Sequence, residues 1–197
     1  CHSLKQAEYL QAKIQQRFEN CKLHLNEEKT KIVYCKSSRR KESYSNVTFD
    51  FLGFTFQPRE SIDKQGNRFT GFLPAISQKS MKRINETIHS WHLNRHSNQT
   101  LEHLAADINP IVRGWMTYYG KFYPTRLKRF MQTLNGRLAR WVMCKFERYR
   151  NRFYPAQEWL AHIAEKEGLI FYHWKCGVLP RFTNKDNNVF WSHYSDV

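Results

Sequence analysis

Past Pro74 the apolar residues of this chain change their rhythm, and that change constrains the fold more than any other feature. Before it, in VTFDFLGFTF (residues 47–56), large apolar residues alternate with smaller or polar ones, as on a strand. After it, Met81, Ile84, Ile88 and Trp91 step by three or four positions, as on one helix face, with Ser77 placed to cap the helix. One element cannot carry both periods. The spacing therefore predicts a small α/β piece over residues 1–74 and a helical bundle over 75–197.

Within the first piece, Leu4, Ala7, Leu10 or Gln11, Ile14 and Phe18 predict a helix over residues 3–20, and Lys31 to Cys35 reads as a short strand. Gly66 and Asn67 predict a turn between two further short strands. In the second piece, Leu104, Ala105, Ile108, Ile111 or Val112, and Trp115 predict a helix from about Leu101, which Pro110 kinks or restarts with Asn109 as cap. Leu127, Met131, Leu134, Leu138, Val142, Phe146 and Tyr149 predict a long helix over about 125–149, and a shorter one follows Pro155 and stops before Gly168. LIFYHW (residues 169–174) reads as a strand or an extended packing segment.

Charge narrows the partner. Lysine and arginine number 32 against 17 acidic residues, a formal net charge of +15. A domain this basic suits a polyanion, because each neutralised phosphate releases condensed counterions. No apolar run approaches the ~20 residues of a membrane span, so no membrane is expected. The five cysteines are scattered without a CxxC or CxxH pair, which indicates neither a disulfide framework nor a zinc site and suits a reducing, cytoplasmic setting.

Positive charge is dense on and around the long helix. Ten basic residues and one acid, Glu147, lie from Lys121 to Arg152. Eleven residues make about three helical turns, so Arg126, Arg137 and Arg148 fall on one line, with Arg129 and Arg140 beside it. Guanidinium forks suit phosphate oxygens, and such a stripe can follow a nucleic-acid backbone. Lys145 falls inside the apolar sector and must snorkel or distort the helix. His89, His92 and His96 share the face of the preceding helix, but no acid or cysteine joins them as a metal set, so solvent or RNA contact is the better reading.

Catalytic motifs are missing. There is no GxSxG, no P-loop and no HExxH. Asp50 is the single acid on an expected strand, and one carboxylate cannot hold the two metal ions of nucleotidyl transfer.

NEEKTKIV (Asn26 to Val33), DFLGFTF and INPIVRGWMTYYG, taken in this order, resemble the reverse transcriptases encoded by group II introns, also called maturases. PTRLKRF, WVMCKFERYR and LIFYHW continue the likeness over about residues 1–180. The resemblance implies an α+β chain: a palm remnant with short antiparallel strands, then a mainly α-helical thumb bundle. It implies that Lys29 and Lys31 belong to a late palm segment and that Phe51, Leu52, Gly53 and Phe54 form the primer-grip strand. Pro110, Gly114, Trp115 and Tyr119 would shape the thumb, Pro110 and Gly114 by letting a helix bend and pack closely. Arg113, Tyr118 and Lys121 would meet nucleic acid together with Arg126, Arg129, Arg137, Arg140 and Arg148. The family's metal-binding aspartates lie upstream of the segment that begins here. No cofactor is therefore expected in this chain, Mg2+ is expected for its parent polymerase, and no copying is expected from the chain alone. The implied partners are group II intron RNA and an RNA/DNA template–primer duplex, in support of splicing and reverse transcription. A sequence-independent binder of double-stranded DNA is the alternative, although the stripe has few of the Asn or Gln residues that read adenine.

Overall fold

The computed structural model describes residues 1–40, 42–166 and 170–180. These fall into two compact units, one up to Pro74 and one from Ala75 onward. The architecture is α+β, with three antiparallel strands and six helices among the described residues.

In the first unit, helix α1 spans Leu4–Asn20 and starts where the Ser3 hydroxyl accepts from the Gln6 amide. None of its residues is buried. The expected strand from Lys31 to Cys35 does not form. This segment carries no strand ladder, and the Tyr34 amide donates to the Asn46 carbonyl instead.

Strands β1 (Phe49–Phe51), β2 (Phe54–Ile62) and β3 (Arg68–Ile76) make a sheet in the order β1-β2-β3. The stretch DFLGFTF is thus a hairpin and not one primer-grip strand. Phe51 pairs with Phe54, so Leu52 and Gly53 are the two-residue loop. Both take positive φ, 47° and 79°, as a primed turn requires for matching the strands' twist. Alternation along residues 47–56 looked continuous because a two-residue loop leaves the period of two unbroken. The second turn falls where Gly66 and Asn67 predicted it, held by amide donation from Gln65 and Asn67 to the Asp63 carboxylate.

In the second unit, α2 (Gln78–Ser90) is capped by Ser77, whose hydroxyl accepts from the Ser80 amide. A 3-10 turn at Leu93–Arg95 leads to α3 (Leu101–Tyr119), capped by Thr100. Helix α4 (Pro124–Lys145) begins with proline at its first turn, where no amide partner is lost. A 3-10 turn at Glu147–Tyr149, α5 (Phe153–Lys166) and the short α6 (Tyr172–Lys175) follow. The apolar lines of α2, α3, α4 and α5 meet in one core, with Trp141, Phe171 and Trp174 among its largest fully buried side chains. Burying such faces at roughly 25 cal/mol per Å2 is the main favourable contribution to folding.

Four expectations need correction here. Helix α3 runs through Pro110 without restarting, because Pro110 lies on the exposed face, where water can reach the carbonyl it leaves unbonded. Asn109 caps nothing; its Nδ2 donates to the Ile170 carbonyl (3.0 Å) and its Oδ1 accepts from the Tyr172 amide (2.7 Å). Gly114 is not a close-packing site, since a Cβ built there meets nothing within 4 Å. At Gly120, by contrast, a Cβ would lie 2.4 Å from the Met116 carbonyl oxygen. The LIFYHW segment, whose Leu169 lies outside the described residues together with Gly168, holds no strand; Tyr172–Lys175 is a helical turn packed into the bundle.

That turn is fastened by Asn135 of α4, which is fully buried. Its Nδ2 donates to Gln132 Oε1 and to the Val178 carbonyl. Its Oδ1 therefore accepts, at 2.8 Å each, from Trp174 Nε1 and His173 Nε2. This puts the His173 proton on Nε2 and leaves Nδ1 as a buried atom without a partner. Burial pushes the His173 pKa down to about 3, so the ring is neutral at physiological pH.

Candidate nucleic-acid interface

The arginine stripe follows from the order of α4. Positions 126, 129, 137 and 140 face away from the buried line Leu127, Met131, Leu134, Leu138 and Val142, so their guanidiniums reach solvent. Arg129 and Arg140 are exposed, while Arg126 and Arg137 are half-buried. Partial burial, and after it the charge of Arg140 one turn away, lowers the Arg137 pKa from its ordinary value. Like charges on adjacent turns repel. Among the described residues neither Arg137 nor Arg140 has a hydrogen bond or ion pair to offset this.

Arg148 does not continue the line, because the helix ends at Lys145. The cause is the lysine in the apolar sector. Lys145 Nζ donates to the carbonyls of Ser97 (2.9 Å) and Gln99 (2.8 Å), and it lies over the rings of Trp141 and Phe146. Phe146 then turns extended, with φ −114° and ψ 115°. Arg148 stacks its guanidinium on the Tyr149 ring, 4.5 Å from the centroid, and donates to the Tyr149 hydroxyl.

The end of α2, the turn after it and the C-terminal half of α4 enclose a cleft of about 930 Å3. Arg137 and Arg140 form one side, and His89, His92, Arg95 and Arg150 lie around the rest. The three histidines do not share a helix face. Helix α2 ends at Ser90, His92 is left-handed with φ 46°, and the His96 carbonyl accepts from Trp141 Nε1.

Residues 81–159, from α2 into α5, match the family model of the group II intron maturase-specific domain. That segment is similar to the maturase-specific domain. No curated protein and no solved structure matches the chain.

Within residues 81–159, the residues expected from INPIVRGWMTYYG separate. Trp115 is half-buried against the core and stacks on Trp91, centroids 5.6 Å apart and 18° between planes. Tyr119, four residues further along α3, is half-buried and edge-on to the exposed Tyr118. Arg113 is exposed over the Tyr172 ring and Lys121 is exposed over the Phe122 ring. Arg95 and Arg150 were missed by sequence reasoning. Both sit in irregular segments, where no periodicity marks a shared face.

In the first unit, Lys29 and Lys31 are exposed on an irregular segment. Phe51 and Leu52 are exposed at the hairpin tip, while Phe54 is buried. Asp50 accepts from the Thr55 hydroxyl across the β1–β2 pair. A single carboxylate so engaged does not fit a two-magnesium site. Among the described residues no three His, Cys, Asp or Glu side chains gather as a metal set, and no helix is long and apolar enough to cross a membrane.

Proposed function

We propose that this chain binds group II intron RNA through the arginine face of α4 and thereby supports intron splicing. The observation that carries the reading is the pair Arg137 and Arg140, adjacent on α4, within a maturase-specific domain of a chain with a net charge of +15. Such charges bind the phosphate backbone, and A-form geometry favours recognition by shape over base reading in the deep groove. In a longer reverse transcriptase, the first unit would act as the end of the palm and the maturase domain as a thumb that grips template–primer duplex. The exposed Phe51 and Leu52 and the exposed Tyr118 support that reading by offering apolar and aromatic contacts. Mg2+ would then be held by the parent's upstream palm.

The test is affinity of the chain for a folded group II intron RNA, a random RNA duplex and a DNA duplex across a salt series. Tighter binding to the intron, persisting at about 0.15 M salt, is expected. Equal affinity for all three, vanishing together as salt rises, would overturn the reading and leave a generic basic clamp.

A further inference from the structure

The cleft differs from the rest of the basic surface, because it is concave. Five cations, Arg95, Arg137, Arg140, Lys145 and Arg150, face it against one carboxylate, Glu147. Lys145 is engaged by the Ser97 and Gln99 carbonyls. Among the described residues the guanidiniums of the four arginines have no hydrogen bond or ion pair. An anion in the cleft would relieve their mutual repulsion.

The other half of the lining is not anionic-ligand chemistry. The His89 and His92 rings meet edge-on, centroids 5.7 Å apart, and Ile88, Leu93 and Met143 add apolar surface. A flat ring seated there gains stacking and apolar contact while its phosphate reaches the guanidiniums. The cleft's volume lies within the roughly 300–1,000 Å3 of small-ligand sites. A paired stem keeps its bases stacked inside and offers only phosphates to such a cavity. An unpaired nucleotide offers both halves of what the lining accepts.

We propose that the cleft between the end of α2 and the C-terminal half of α4 captures an unpaired nucleotide of structured RNA, its phosphate on Arg137 and Arg140 and its base against His89 and His92. The inference rests on the RNA-binding reading above and adds a local structural preference to it: a bulge or loop nucleotide.

The experiment uses the whole 197-residue chain and two RNA hairpins of equal length and charge, one fully paired and one with a short bulge containing 2-aminopurine. At about 0.15 M salt, the bulged hairpin should bind about tenfold tighter, the scale of one stacked base, with a change in 2-aminopurine fluorescence. The double variant His89→Ala/His92→Asn, with Asn chosen because His92 is left-handed, should bring the ratio close to one. Arg95→Gln should lower the ratio by a separate route, and it serves if the histidine variant melts early. Arg126→Gln/Arg129→Gln, outside the cleft, should weaken both hairpins and keep the ratio. Equal affinity for the two hairpins, or a ratio that survives the cleft variants, overturns the inference. If intron RNA is still preferred over random duplex in that case, the maturase reading stands and only the cleft assignment falls.

Discussion

The ammonium of Lys145 lies 2.8 Å from the carbonyl oxygen of Gln99, and this contact ends the long helix and anchors the approach to α3. A second bond to Ser97 makes it a two-point clip. Lys145→Met keeps the aliphatic stem and removes both bonds. Charge-assisted bonds contribute about 1.5–3 kcal/mol, so thermal denaturation followed by circular dichroism should show Tm lowered by several degrees. An unchanged Tm would mean that the clip contributes nothing in solution.

Burial of His173 predicts a pH dependence of stability. An unfolded histidine takes up a proton near pH 6.5, while the folded ring does so only at about 3. Falling pH therefore favours the unfolded chain throughout that window, by about 1.4 kcal/mol per pH unit. His173→Gln retains a donor for Asn135 but cannot titrate. Urea melts at about pH 6 and pH 5, above most carboxylate titration, should show a steeper loss for the native chain than for the variant. Equal slopes would show that His173 protonates without unfolding.

Leu52 holds φ 47° in the β1–β2 turn with 67% of its surface exposed. Leucine pays a steric cost there that asparagine largely avoids, about 1 kcal/mol. Leu52→Asn should therefore raise the stability of the first unit, read by hydrogen exchange of the β1–β2 amides. Slower exchange together with weaker template–primer binding would indicate that the leucine is retained for contact. Faster exchange would contradict the turn assignment.

Arg126 and Arg148 test the stripe against the helix end. Removing one arginine–phosphate pair should reduce the slope of log K against log salt by about 0.9 for duplex DNA and somewhat less for single strands. Arg126→Gln should show that reduction with intron RNA. Arg148→Gln should show little, since its guanidinium is stacked on Tyr149. Equal slope changes would restore the stripe as a continuous line beyond Lys145.

Much of the fold was readable from spacing. The rhythm change after Pro74, the cap at Ser77 and the apolar line from Leu127 to Val142 each depend on neighbours within a few positions, and each appears in the structure. The Asp63–Asn67 turn is equally local. Local signals misled where two structures share one pattern. The period of two passes unbroken through the Leu52–Gly53 turn, and the 3.6 period of α4 extends on paper to Tyr149.

The candidate site was half legible. Arg137 and Arg140 stood out as members of a helical stripe, and His89 and His92 as a cluster. That they line one cleft, with Arg95 and Arg150 joining them, depends on how α2 and the turn after it pack against α4. Sequence alone settled the main helices, their apolar faces and the sign of the surface, because those follow from residue type and period. The end of α4 at Lys145, the burial of His173 under Asn135 and the concavity of the basic surface came from tertiary packing. Each of them depends on partners more than 35 positions away in the chain, whose distance no local pattern records.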